Sequence, residues 1–545
     1  MLEPTIPARL QSQAGQRPNH PAYAIKRQGS WVTTSWADYA KAVRDAAKSL
    51  LELGFEVGDS VSILGFNRPE WSVFDHAAMS LGGVGAGIYT TCSPEQVAYI
   101  INHAESKYVV VEDAGQWAKI ESKLAELPKL KKVIFFEGAK DVPFAKNEML
   151  LSWHDFLSIG SQHADTEVTE RIAQLKPDQL AALIYTSGTT GPPKGVMLSH
   201  ENLAWTASVA GEIVDLNDRD RTVSYLPLSH IAEQVFTLHG PTTWGYTVYY
   251  AEGLDKVVEN FKEVRPTILF AVPRIWEKFH AGVSAKLALA TPLKAKIGAW
   301  AMNVGRQVAK LEGRGEMPSG LLQLQNRLAQ KLVYTKVQEA LGLDKLRFAV
   351  SGAAPIAAEV LEFFSGLDII IREVYGQSED TGPTSFNRPG ATRFGTVGPP
   401  VPGVDVRIAE DGEILVKGPN VFLGYYKEEA ATAETLIDGW LYSGDLGKID
   451  NEGFLHITGR KKEIIITAGG KNIAPKNIEA ALKNHPLVAE AVVIGDRRKY
   501  LVGLLWLDPE AAVTWAEGKG ISASNVAGSP LLRQEVEQFI SGTVN

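Results

Sequence analysis

The chain of 545 residues has a single cysteine, Cys92. One thiol excludes an intramolecular disulfide and a cysteine-based metal cluster. No apolar run reaches the roughly 20 residues that a bilayer-spanning helix needs. Met1 to His20 lack the apolar stretch of a signal peptide, so the expected location is the cytoplasm. A basic excess is missing too. Against 63 Asp and Glu stand 55 Lys and Arg, a net charge of −8, which argues against nucleic acid as partner of the whole chain. Internal repeats and low-complexity tracts are absent. What is there, 45% hydrophobic and 22% charged, is the composition of a globular protein long enough for more than one domain.

The first third alternates strand and helix signals. Residues 61–64, 84–89, 108–111 and 132–136 read as strands, with helices predicted over 70–81 and 95–104. Short β runs separated by helices predict parallel sheets with helices on their faces. Further strands are expected at 267–272, 346–350 and 369–374, each ending in Pro, Gly, hydroxyl or charged residues. In open α/β sheets, ligands sit outside the carboxyl ends of strands. Each such end alone reads as turn chemistry. Their recurrence points to one shared cleft.

The most informative end follows Leu180–Tyr185. The loop Thr186, Ser187, Gly188, Thr189, Thr190, Gly191, Pro192, Pro193, Lys194, Gly195 is dense in glycine and hydroxyls and ends on a lysine. Glycines let backbone N–H groups approach an anion, hydroxyls donate hydrogen bonds, and lysine adds a point charge. That is a phosphate cradle, although the Walker spacing is absent.

Two other regions differ in texture. Residues 281–345 are helical in character and hold ten basic against four acidic residues, a local excess of +6. Such a segment suits a solvated helical face or docking on anionic lipid at the inner face of a membrane. From Pro400 onward come short strands and glycine turns, a β-rich subdomain over about 400–457. Gly459–Lys462 reads as a linker. Beyond it, a strand, a glycine loop, a helix with Pro475 in its first turn and two pairing strands predict a small α+β domain. The predicted organisation is thus an α/β protein, with a large domain over 1–459 hinged to a small one over 460–545.

The Thr186–Gly195 loop, Tyr375-Gly376-Gln377-Ser378-Glu379, Tyr442-Ser443-Gly444-Asp445, Gly459-Arg460-Lys461-Lys462-Glu463 and Gly469-Gly470-Lys471-Asn472-Ile473-Ala474-Pro475 stand in one order. Together they resemble the adenylate-forming superfamily, from about Trp36 to Leu507. Residues 225–230, 265–278 and 464–470, with the helical 281–345 stretch, are similar to its long-chain fatty acyl-CoA synthetase branch. The resemblance implies two steps. A fatty acid and Mg·ATP give acyl-adenylate and pyrophosphate, and coenzyme A then takes the acyl group. It implies that the 186–194 loop holds the terminal phosphates and that Glu379, helped by Thr186, ligates Mg²⁺. Tyr375 and the Gly352-Ala353-Ala354 backbone would hold adenine, Asp445 the ribose, and Arg460 ribose or phosphate. Gly376, Gln377 and Ser378 complete that motif, and Lys462 matches the hinge position. Gly469, Gly470 and Lys471 serve coenzyme A, and His230 stands between the carboxylate and the acyl tunnel. Lys194, His230, Glu379 and Arg460 are the expected catalytic set. The family's late lysine, in a Thr-Pro-x-x-Lys-like context, has no match at Lys519, so the small domain is expected to be cut short and adenylation slow. Another carboxylic acid as substrate, or acyl and nucleotide binding without turnover, remains open. Chain-length preference and oligomeric state are not legible in the sequence.

Overall fold

The computed structural model describes residues 2–186, 191–466, 472–483, 485, 487–522 and 529–543. Its largest sheet has eight strands, ordered 424–425, 194–199, 180–186, 84–88, 60–64, 108–111, 132–135 and 150–152. The strands from 180–186 to 150–152 run parallel in that order. Ser60–Leu64, Val84–Ile88 and Tyr108–Val111 are buried along their whole length, as strands covered on both faces must be. The helix Pro69–Ser80 packs on this sheet with every residue buried. Pro94–His103 covers another part, and its start is set by Ser93, whose hydroxyl accepts from the Gln96 amide in a capping box.

A second sheet joins 221–224, 247–250, 21–27 and 30–35. A third, 268–271, 348–351, 371–375 and 385–386, has its first three strands parallel. The helical region holds Pro273–Ala288, Pro292–Glu312, Gly320–Ala329 and Thr335–Leu341, with a π turn at Gln330–Tyr334. A five-stranded sheet follows over 405–460. Then come Pro475–Leu482, the hairpin Val488–Ile494 with Val502–Leu507, and the helices Pro509–Gly518 and Pro530–Thr543.

One expectation needs correction, and one path of the chain was left open by the sequence. The 186–194 loop joins two strands. Lys194 opens a second strand, antiparallel to the first, with Thr186 directly opposite it. Gly459 and Arg460 are not linker: they end the strand Leu455–Arg460, paired with Leu446 and Asp445. Arg460 is exposed at the end of that strand, and its polarity was mistaken for irregular chain. Among the described residues, no helix is long and apolar enough to cross a membrane.

Candidate functional site

The hairpin that presents Lys194 is buried through Ala181–Tyr185 and Val196–Leu198 apart from half-buried Met197, so its tip has a rigid base. The short strand Gly424–Tyr425 adds to its edge, Tyr425 opposite Val196. This pairing brings the Lys194 ammonium over the Tyr425 ring, 4.9 Å from its centroid. The same tyrosine donates its hydroxyl proton to Glu379 Oε1 at 2.8 Å. One aromatic side chain thus links the loop cation to the carboxylate. Nothing in the sequence motifs around Glu379 or Lys194 announces Tyr425, because it comes from an edge strand 46 residues beyond Glu379.

Glu379 sits in a turn that tolerates no extra atom at its start. A Cβ on Gly376 would lie 1.4 Å from the Gly382 carbonyl oxygen. Asp380, fully buried, accepts from the Gln377 amide at 2.8 Å and from the Thr384 hydroxyl, closing the turn. Burial pushes its carboxyl up to about 8, so near neutral pH it is largely protonated. Burial also raises the Glu379 pKa, and the hydrogen bond from Tyr425 opposes the rise.

Asp445 and Arg460 face each other across neighbouring strands. Arg460 Nε donates to Asp445 Oδ1 at 3.1 Å, and the Tyr375 hydroxyl donates to Oδ2 at 2.8 Å. Burial raises the Asp445 pKa, and these two contacts counter it. The strand ends at Arg460, and the turn that follows sends the basic residues of this stretch to different partners. Lys461 pairs with Glu413 at 2.8 Å and Asp411 at 2.6 Å, while Arg460 and Lys462 line the cavity.

That cavity, of about 860 Å³, gathers Thr186, Lys194, His230, Ala353, Gly376, Gln377, Ser378, Glu379, Arg460 and Lys462. Tyr375, Asp445, Gly352, Ala354 and Gly191 stand outside its lining; Tyr375 and Asp445 reach it through Arg460. Ser187, Gly188, Thr189, Thr190, Gly469, Gly470 and Lys471 lie outside the described residues. His230 caps the short helix Ile231–Gln234, its Nδ1 accepting from the Ala232 amide at 3.1 Å. The ring proton therefore sits on Nε2, and burial lowers the pKa, so the imidazole is neutral. Buried Glu233 positions this segment by accepting from Ser224 and Thr237, each at 2.8 Å.

Past His230 the lining turns apolar, with Ala207, Ala210 and Val214 on one side and Phe236, Phe270 and Val350 on the other. Phe236 and Phe270 stack with centroids 5.2 Å apart. The helix His200–Val214 lies close against Trp244, because a Cβ on Gly211 would be 2.0 Å from the Trp244 Nε1. The resemblance implied an acyl tunnel at His230, but the sequence did not show which residues line it. Its side chains look like ordinary core until packing leaves a gap between them.

Among the described residues, no three His, Cys, Asp or Glu converge as a ready-made metal cage. The Glu379 carboxylate, which shares the cavity with Thr186, suits a hard cation that arrives with phosphate and water ligands of its own. The buried Nε2 of Gln377 has no hydrogen-bond partner and lines the same cavity, a donor left for a ligand.

A sequence model of the AMP-binding enzyme family matches residues 10–426, and one of the AMP-binding enzyme C-terminal domain matches 462–524. The chain belongs to the AMP-binding enzyme family. Its polar cavity end is built from both matched parts, Lys194 and Glu379 from the first and Lys462 from the second. Among family relatives, long-chain-fatty-acid–CoA ligase ACSBG2 of Xenopus laevis is 40% identical over 92% of this chain and 69% of its own. The human protein of that name is 38% identical over 98% of this chain and 84% of its own. The Gallus gallus one is 41% identical over 89% and 65%. The chain thus spans about two thirds of the frog and chicken relatives. The same fold occurs in the anthranilate CoA ligase AuaEII in complex with anthranoyl-AMP, with TM-score 0.73 and 22% identity, covering 93% of this chain and 88% of that one. It occurs also in a Mycobacterium tuberculosis fatty acyl CoA synthetase, with TM-score 0.66 and 22% identity, covering 93% and 88%.

Proposed function

We propose that this AMP-binding enzyme is an ATP-dependent long-chain fatty acid–CoA ligase. The observation that carries the reading is the two-ended cavity. A pole with Lys194, Glu379, Arg460 and Lys462 opens into an apolar slot past a neutral histidine. The names of the relatives at about 40% identity support the same reaction.

In this reading the alkyl chain fills the slot and its carboxylate stops at His230, whose Nε2–H orients it by a hydrogen bond. Lys194 and the 186–191 loop hold the terminal phosphates of ATP. Asp445, held by Tyr375 and Arg460, takes the ribose hydroxyls, and Ala353 with its neighbours borders adenine. Mg²⁺, held by Glu379 with Thr186, would neutralise charge on the phosphates. A carboxylate oxygen attacks the α-phosphorus and pyrophosphate leaves. The coenzyme A sulfur, having lost its proton, then attacks the acyl carbon and AMP leaves. Gly469, Gly470 and Lys471 are assigned to that second step. Excluding water from the slot keeps the adenylate from hydrolysis.

Release of AMP, measured with oleate, benzoate or no acid and with coenzyme A present, tests the reading. AMP formed with oleate well above the other two supports it. Equal AMP with benzoate makes the chain a ligase of another acid. Binding of ATP and oleate without AMP makes it a binding protein.

A further inference from the structure

Away from the cavity, the helix Gly320–Ala329 and the π turn Gln330–Tyr334 that continues it have two unlike faces. One face carries Leu322, Ala329 and Val333, which pack with Tyr334 against Ala301 and Val304 of the helix Pro292–Glu312. The Tyr334 hydroxyl donates to the Ala301 carbonyl at 2.6 Å and fixes the pair. The other face presents Leu321, Leu324, Leu328 and Leu332, which are 70%, 65%, 49% and 41% exposed. Steps of three, four and four residues place them on one stripe. Single exposed leucines are ordinary, but an aligned row facing water marks an interaction surface.

Charge says what covers it. Arg327 and Lys331, both exposed, stand along one edge of the stripe. On the adjoining helix, Lys296, Arg306 and Lys310 recur at helical spacing and are exposed as well. None of the five forms an ion pair among the described residues. Segment 281–345 carries +6 while the chain carries −8, which leaves −14 for the remainder. A net basic excess is therefore concentrated here, beside the exposed leucines. A protein interface of this kind is expected to centre on aromatic anchors, with leucine under-represented. A one-residue-wide aliphatic row edged by unpaired cations matches instead a helix lying in a bilayer surface.

We propose that this face docks on an anionic lipid bilayer, the four leucines entering the headgroup–acyl boundary and Arg327 and Lys331 meeting lipid phosphates. The surface rests on the ligase reading only for its use, since a long-chain acid partitions into the same bilayer. The test therefore contains neither fatty acid nor ATP. The full chain is sedimented with vesicles of phosphatidylcholine alone or mixed with phosphatidylglycerol, at low and high salt. Binding to the anionic vesicles that falls with salt is expected. Arg327→Glu with Lys331→Glu should lower the partition coefficient by more than about twentyfold, roughly fivefold for each charge removed. Leu324→Asp with Leu328→Asp should lower it more than about tenfold. Unchanged thermal unfolding checks that these exposed positions leave the fold intact, and Leu324→Ser with Leu328→Ser replaces the aspartate pair if it does not. Equal binding to neutral and anionic vesicles overturns the proposal, as does binding that both pairs leave unchanged. A dimer on size exclusion that the leucine variants dissolve, without vesicle binding, also overturns it and makes the stripe a contact between copies.

Discussion

The two ends of the cavity are built on opposite plans. The polar end is made of short motif segments on and beside strand ends, held by hydrogen bonds and one cation–π contact. Asp380 closes the 377–384 turn, Tyr425 spans Lys194 and Glu379, and Arg460 with Tyr375 brackets Asp445. The apolar end is made of isolated residues from a helix, the π turn Val235–His239 and two strands, held by packing alone. A group at the polar end owes its state to one or two named partners. A group at the apolar end owes its effect to volume. Substitutions at the first should therefore change chemistry, and those at the second should change which acid is accepted.

The largest effect is expected from Glu379→Gln. It keeps the shape but loses the charge a hard cation needs. AMP formation should fall about a hundredfold or more, the scale of one preorganised electrostatic group. Burial raises the Glu379 pKa, so its anion is gained as pH rises and wild-type activity should rise through that range. The Gln variant should lack this acidic limb. A pH–rate profile identical to wild type removes Glu379 from the site. Lys194→Ala comes next. Losing charge-assisted bonds worth about 1.5–3 kcal/mol should weaken ATP binding by some ten- to hundredfold, read by calorimetry. Unchanged ATP affinity would falsify the loop's assignment.

Ala210→Phe probes the other end. Half-buried Ala210 lines the slot, so the added ring should cut kcat/KM for oleate by about tenfold while ATP affinity stays the same. If ATP affinity fell in step with oleate use, the two ends would not be separable and the contrast would fail. The smallest change is Tyr425→Phe. It keeps the ring over Lys194 and removes the bond to Glu379, at a cost of about 1 kcal/mol. The Mg²⁺ requirement should rise roughly fivefold, and more in Tyr425→Ala, where the ring is lost as well. Equal effects of the two variants would show that only the hydroxyl matters.

Much of the polar end was legible in the chain because its residues lie in short segments at strand ends. Thr186, Lys194, Gly376–Glu379 and Arg460 meet in the cavity. The strand Tyr108–Val111 was read to its limits, and Val84–Ile88 to one residue, since fully buried parallel strands are short apolar runs. The hairpin return at Lys194 was missed because glycine and proline mark a turn without saying which way the chain leaves it. Tyr425 was missed because only edge-strand pairing brings it to Glu379.

By itself the sequence determined what local chemistry can carry: strand and helix periodicity, the glycine and hydroxyl loop, the order of the motifs, and the +6 segment. Tertiary structure alone decided which side chains share a space. Backbone pairing set Asp445 against Arg460, close packing on Trp244 placed the helix that walls the slot, and burial chose the proton states of Asp380 and His230. The physical reason is range. Propensity and turn chemistry act over a few residues, whereas volume and desolvation depend on every neighbour, however distant in the chain.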